Sequence, residues 1–273
     1  MLDFQEVVNE CLLSLKSLNT QQQMSVNDNF NIIDALHYLE MKTYKESLDS
    51  EALLCFYATH LFCCETTDLT FKHTRQIVPH CAEVIFTTKE QTLKSFFIKH
   101  AWEGAIKEGI GIEFNNLLTD TPIRYLCSNE LIITEKLFDV ITPRQVYTLR
   151  DTPEYLFAFG AWEVFTRILH LTDRKTGNIR WNGQRLANID FGLVFYRGKL
   201  VFDSRFTLTE PSQERTAGQR YALEWIHTKL QQPKVQQLLL TLDSKFCHNL
   251  TCHRNPAPPL RLMINVLQDN FCQ

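Results

Sequence analysis

No stretch of this 273-residue chain is apolar for eighteen residues or more, so the sequence predicts no membrane-spanning helix. The opening residues, Met1-Leu-Asp-Phe-Gln-Glu6, lack the basic and apolar regions of a secretory signal, and none is expected. A charge excess of either sign is missing too: 28 Lys and Arg stand against 31 Asp and Glu, a formal net charge of −3. That near-balance removes any global electrostatic reason to expect nucleic acid or an anionic membrane as partner. There is no internal repeat and no low-complexity tract. Nor is there a disulfide framework. The nine cysteines are odd in number, and most sit in apolar runs such as Leu53-Leu-Cys-Phe-Tyr57. Such cysteines read as buried free thiols in a reducing compartment. The expectation is a soluble cytoplasmic protein, of its own cell or of a host cell, since a delivered effector or a viral protein meets the same criteria.

What is present suffices for a core. Apolar residues make up 44% of the chain, enough for one large domain or two lobes. Residues 1–65 read as helical. Phe4, Val7, Val8, Cys11, Leu12 and Leu15 recur at helical spacing, a polar connection is expected from Asn19 through Asn29, and further helices after Asn31 and from Asp49 to Cys64. From Thr66 the character changes. Leu69–His73, Glu83–Thr88 and Lys94–His100 predict strands, the last two as a hairpin. A helix is expected over Ala101–Leu118, then short strands at Arg124–Cys127 and Leu131–Thr134. Thr152-Pro153 marks the start of a long helix, as N-cap and first-turn proline. A strand pair is expected at Gly192–Tyr196 and Lys199–Phe202, and helices over Gln213–Leu230, Lys234–Leu242 and Pro259–Asn270. The domain expectation is a helical N-terminal extension (1–65), a small β-rich nucleotide-binding lobe (66–137) and a mainly helical catalytic lobe (138–273), an α+β chain.

The residues with the most chemistry lie in Thr172-Asp-Arg-Lys-Thr-Gly-Asn178 and Asn188-Ile-Asp-Phe-Gly192. Asp173 and Asn178 are five apart, and Asp190 follows Asn178 by twelve. Between them, Asn182-Gly183 is a strong hairpin signal, and a hairpin would bring Asn178 close to Asp190. Carboxylate and amide oxygens suit a hard cation such as Mg²⁺. Phosphoryl transfer needs such ligands, a carboxylate near the attacking hydroxyl, and a cation on the phosphates.

These motifs resemble the protein-kinase-like superfamily. Asp173-Arg174, Gly177-Asn178-Ile179 and Ile189-Asp-Phe-Gly192 are similar to its phosphoinositide-kinase branch, while Lys175 stands where Ser/Thr protein kinases carry a phosphate-contacting lysine. The resemblance spans about residues 83–192, is densest over 170–192, and is absent from 1–65 and most of the C-terminus. It implies a bilobal kinase-like fold binding ATP and Mg²⁺. Asp173 would be the catalytic base or hydroxyl-orienting residue, Lys175 a contact to the transferred phosphate, and Asn178 and Asp190 the metal ligands. Lys99, in Phe96-Phe-Ile-Lys-His100, would meet the α- and β-phosphates and pair with a helix carboxylate. Glu108 is favoured for that role over Glu103 and Glu113. Backbone groups near Glu135 and Leu137, in Ile133-Thr-Glu-Lys-Leu137, would contact adenine.

The chain also departs from that pattern. No Gly-x-Gly-x-x-Gly occurs, and His73–Cys81, where such a loop would fall, holds no glycine. Ala-Pro-Glu is missing, and Leu171-Thr-Asp173 replaces His-Arg-Asp. The expectation is therefore an atypical Ser/Thr kinase acting on a protein. A lipid or small-molecule kinase, a nucleotidyl transferase and a pseudokinase binding module are the alternatives, and the N-terminal helices are a candidate docking surface. Cys247-His248 and Cys252-His253 carry zinc-binding residue types, but not at Cys-x₂-Cys spacing.

Overall fold

The computed structural model describes residues 3–24, 43–101, 104–137, 139–140, 143–171, 173–174, 178–192, 194–195, 201–202, 212–248 and 258–271. Helix α1 (Phe4–Met24) starts from a reciprocal cap: the Glu6 N–H donates to Asp3 Oδ1 at 2.7 Å and the Asp3 N–H to Glu6 Oε2 at 2.6 Å. It runs through the expected connection at Asn19–Gln23, because no glycine or proline stops it there and Gln propagates a helix well. Helix α2 (Tyr44–Asp49) opens on a Thr43–Glu46 capping box. Ser50 closes it and caps α3 (Glu51–Phe62), which ends at Cys63 in the left-handed region, φ 50°. The helix expected after Asn31 lies outside the described residues.

Strands β1 (Leu69–Val78), β2 (Cys81–Thr88) and β3 (Leu93–His100) follow, then α4 (Ala105–Leu118), β4 (Tyr125–Cys127) and β5 (Leu131–Glu135). After them come β6 (Asp139–Val140), α5 (Pro143–Leu149), α6 (Pro153–Ile168), β7 (Asp173–Arg174), β8 (Ile179–Trp181), β9 (Leu186–Asn188) and β10 (Val201–Phe202). Helices α7 (Gln213–Leu230), α8 (Pro233–His248) and α9 (Pro259–Phe271) close the described chain.

The described residues divide into two units. One takes those of 31–112 and 123–137, the other those of 1–30, 113–122 and 138–273. This departs from the expected boundaries. The 1–65 extension is split, with α1 in the helical unit and α2 and α3 in the sheet unit. Residues 113–122 leave the small lobe.

The sheet unit is built on a five-stranded antiparallel sheet in the order β1-β2-β3-β5-β4. Side chains alternate across it. Ala82, Val84, Phe86, Phe96, Ile98 and Ile133 point to one face, where they pack against Leu54, Tyr57, Ala58 and Leu61 of α3. The other face is mixed, with Ile85, Phe97 and Ile132 set among Glu83, Ser95 and Lys99. There the buried Glu83 carboxylate is held by Arg75, by the Ser95 hydroxyl at 2.9 Å and by the Lys136 ammonium at 3.4 Å. The opposing cations and the Ser95 hydrogen bond outweigh burial, so the Glu83 carboxyl sits below its usual range.

In the helical unit α6 is buried along nearly its whole length. It meets α7 at very close range. A Cβ on Gly160 would fall 2.0 Å from the Arg215 carbonyl oxygen, and one on Gly218 would fall 1.9 Å from that of Phe157. Glu163 of α6, also buried, is bound by Arg167 at 2.7 Å, by Arg215 at 2.9 Å and by Gln219 at 2.9 Å. Helix α1 packs on α7 and α9 through Val7, Val8, Cys11, Leu12, Leu15 and Leu18, all buried. The strand pair expected at 192–196 and 199–202 is not what β10 joins. Residues 194–195 form a turn, with Phe195 at φ 53°, and Val201–Phe202 pairs in parallel with Asp173–Arg174.

Candidate functional site

Lys99 stands on β3, the central strand of the sheet, paired across to Cys81 on one side and Ile132 on the other. Its side chain leaves the face opposite α3 and places Nζ 2.9 Å from Glu108 Oε2. Glu108 lies in the first turn of α4 and is 2% exposed, whereas 24% of the Lys99 side chain remains exposed. The carboxylate is thus sunk into the unit, and the ammonium stands above it with access to solvent. Helix α4 comes close enough for this because Gly109 follows Glu108: a Cβ there would lie 3.2 Å from Cys127 Sγ. The glycine that weakens the helix as a sequence signal is what lets it approach β4. Glu108 also helps burial push the Cys127 thiol up to about 12, so that cysteine is no nucleophile at neutral pH. Glu103 lies outside the described residues.

In the helical unit, α6 ends at Ile168 with Leu169 as its C-cap, and His170 takes the left-handed conformation, φ 46°, that commonly terminates a helix. The backbone of Asp173 and Arg174 forms β7; the Asp173 side chain and all of Lys175 lie outside what the structure describes. Strands β8 and β9 form the hairpin that Asn182-Gly183 predicts. Gly183 has φ +95°, and Asn182 Oδ1 accepts the N–H groups of Gln184 at 2.9 Å and Arg185 at 2.7 Å. At the open end of this hairpin the Ile189 N–H donates to the Asn178 carbonyl at 3.1 Å. Asn178 and Asp190 are therefore brought to the same end of one two-stranded ladder. Asp190 Oδ1 accepts the Gly192 N–H at 3.1 Å, which orients the carboxylate. Both side chains are partly exposed and offer oxygen donors, so they fit the requirements of Mg²⁺. Among the described residues no group of three or more His, Cys, Asp or Glu gathers as a metal site.

No protein-family model matches this chain, and no curated protein matches it. Among solved structures it is similar to the CtTel1 dimer with C2 symmetry, at 13% identity and a TM-score of 0.42, over 73% of this chain and 11% of that one. It is similar also to the open conformation of CtTel1, at 12% identity and a TM-score of 0.40, with the same coverages. This chain thus spans about a ninth of the length of those it matches, and the scores are too low to carry a shared fold.

Of the two positions expected to contact adenine, Glu135 ends β5. Its N–H donates to the Arg124 carbonyl at 3.0 Å, and its carboxylate accepts the Arg124 N–H at 2.8 Å. Burial raises the Glu135 carboxyl, partly offset by Arg124. The next N–H, of Lys136, donates to Ser95 at 3.0 Å, and Leu137 follows half-buried. The N–H groups of Glu135 and Lys136 are thus taken up by the sheet.

Sequence reading missed two polar groups. The Trp162 indole N–H donates to Asn188 Oδ1 at 3.2 Å, tying α6 to the strand that leads into Asp190. Asp120 is buried and gathers Arg185 and Tyr221. The Tyr221 hydroxyl donates to its Oδ2 at 3.1 Å, and Arg185 Nη1 to its backbone carbonyl at 2.8 Å. Nothing in the spacing of 120, 185 and 221 announces that meeting.

Proposed function

We propose that this protein is an ATP- and Mg²⁺-dependent phosphotransferase with a bilobal, protein-kinase-like fold, and that it transfers a phosphoryl group to a Ser or Thr hydroxyl of a protein. The observation that carries the proposal is the ion pair between Lys99 on the central strand and the buried Glu108 on α4, at 2.9 Å. A lysine fixed in this way presents a positive charge of set position, as nucleotide phosphates require. The hairpin that gathers Asn178 and Asp190 supports the same reading from the other unit. In this reading Lys99 binds the α- and β-phosphates, Glu108 fixes it, and Asn178 and Asp190 hold the metal. Asp173 orients the acceptor hydroxyl, Lys175 contacts the transferred phosphate, and backbone groups beside Glu135 and Leu137 contact adenine. Bound Mg²⁺ would supply charge neutralisation of the phosphates. The seven cysteines described are all free thiols, which supports action in a reducing, cytoplasmic setting.

The test uses the full chain with Mg²⁺ and ATP labelled at the α- or the γ-phosphate, with protein, lipid and small-alcohol acceptors in separate arms. The expected result is transfer of γ-label to protein, lost in Asp190→Ala and in Lys99→Arg. Transfer of α-label would make the protein a nucleotidyl transferase, and γ-label on lipid or alcohol alone would replace the acceptor. Activity unchanged in Asp190→Ala would overturn the site.

A further inference from the structure

The helical unit contains a cavity of about 570 Å³ that the proposed function does not use. It opens among α6, α7 and the turn end of the β8–β9 hairpin. The space exists because small residues face it: Ala158 and Ala161, three apart and so on one face of α6, and Ala217 of α7. Aromatic side chains wall it. Trp162 and Phe165 lie on the buried side, and Phe157 and Tyr221, with ring centroids 5.6 Å apart, stand toward the opening. The volume falls within the range of roughly 300–1,000 Å³ typical of small-molecule sites.

The charge around the cavity is one-sided. Among the described residues Asp120, Glu154 and Glu214 line it against a single cation, Arg185. Arg185 is already engaged with Asp120, through the 2.8 Å bond to its carbonyl and a 3.5 Å approach of Nε to Oδ2. Glu154 and Glu214 are left to set the sign of the mouth. Aromatic faces add to this, because ring quadrupoles attract cations most strongly where water is partly excluded.

We infer that this cavity is a binding site for a small organic cation with an apolar, aromatic-sized body, the body lying between Ala158, Ala161 and Trp162 and the ammonium at the mouth beside Glu154 and Glu214. The inference does not rest on phosphotransfer and is tested without it. Isothermal titration of the full chain compares three near-isosteric probes: 3,3-diphenylpropylammonium, 3,3-diphenylpropanol and 3,3-diphenylpropanoate. The ammonium binds about tenfold or more tighter than the alcohol, and the carboxylate weakest of the three. Ala217→Trp, at an exposed position of α7, fills the cavity and abolishes binding while the circular dichroism and melting temperature stay as they were. Glu154→Gln with Glu214→Gln keeps the cavity and brings the ammonium to the affinity of the alcohol. The inference is overturned if no probe binds, if the alcohol matches the ammonium in the parent protein, or if Ala217→Trp leaves the ammonium affinity unchanged.

Discussion

Asp243 of α8 is 2% exposed, and its Oδ1 accepts the Leu260 N–H at 2.8 Å, capping the start of α9. Burial pushes its carboxyl up from 3.8 to about 6, with the Leu260 bond opposing. A carboxyl raised in the folded state contributes stability below its unfolded pKa and loses it as pH rises through the folded one. The loss therefore runs from about 4 to about 6, and the ionised group costs on the order of 3 kcal/mol at neutral pH. Asn keeps an oxygen for the Leu260 N–H and removes the charge. Asp243→Asn is therefore expected to be more stable than the parent at pH 7 and to show a flatter dependence between pH 4 and 7, measured by urea unfolding at each pH. Lys99 and Glu108 respond in the opposite sense. Lys99→Met leaves a buried carboxylate without its ammonium and costs roughly 3 kcal/mol, the low end for broken buried pairs because Lys99 keeps some solvent contact. Replacing both, as Lys99→Met with Glu108→Leu, restores most of that loss. Activity does not return with it, and this separates a stabilising ion pair from a phosphate-binding one. Urea unfolding beside the labelled-ATP assay reads both.

Helix α6 is held against α7 by both shape and charge. Gly160 and Gly218 let the α6 and α7 backbones meet, and the atoms a Cβ would strike are backbone carbonyls, which cannot swing aside. Gly218→Ala should therefore force the helices apart and cost about 3 kcal/mol or more, despite the better helix propensity of alanine. A thermal melt showing Gly218→Ala at or above the parent would contradict that crossing. Much at this scale was legible in the chain. The β2–β3 hairpin, the Asn182-Gly183 turn, the α6 start at Thr152-Pro153 and the α7 span all follow from local chemistry, which a short window of sequence contains. The short α2 and α5 were not, because six or seven residues hold less than two turns of apolar period. The pairing of β10 with β7 was missed for another reason. Two-residue strands in parallel contact are set by tertiary packing, and the Gly192–Phe202 stretch shows only β-branched and aromatic propensity. The candidate site divides in the same way. The spacing from Asn178 through the hairpin to Asp190 can be read along the chain, whereas the Asp120–Arg185–Tyr221 group joins three distant segments.

At the scale of the molecule, α1 decides whether the N-terminal region is an accessory. A detachable extension would bury little against the body it precedes. Helix α1 instead sinks six apolar side chains into the helical unit: Val7, Val8, Cys11, Leu12, Leu15 and Leu18 are each no more than 6% exposed. The Cys11 thiol reaches the Leu223 carbonyl at 3.5 Å, the Phe4 and Phe271 rings lie 6.4 Å apart, and Gln231 donates to Ser14 at 3.2 Å. At roughly 1.5–3 kcal/mol for each large buried side chain, this face contributes on the order of 10 kcal/mol before ordering costs, comparable to the whole stability of a domain. Removing residues 1–24 would uncover the matching surfaces of α7 and α9. The truncated chain is expected to lose the cooperative unfolding of its helical unit and to aggregate, followed by calorimetry and light scattering. Leu15→Ala in the full chain gives a milder form of the same test and should cost about 2–5 kcal/mol. If the truncated chain instead melted within about 2 °C of the parent, about the shift expected from 1 kcal/mol, the helix would be an appendage and the 1–65 boundary would stand. The burial of all six side chains within the helical unit argues for the first outcome. It makes α1 part of the body that carries Asn178 and Asp190.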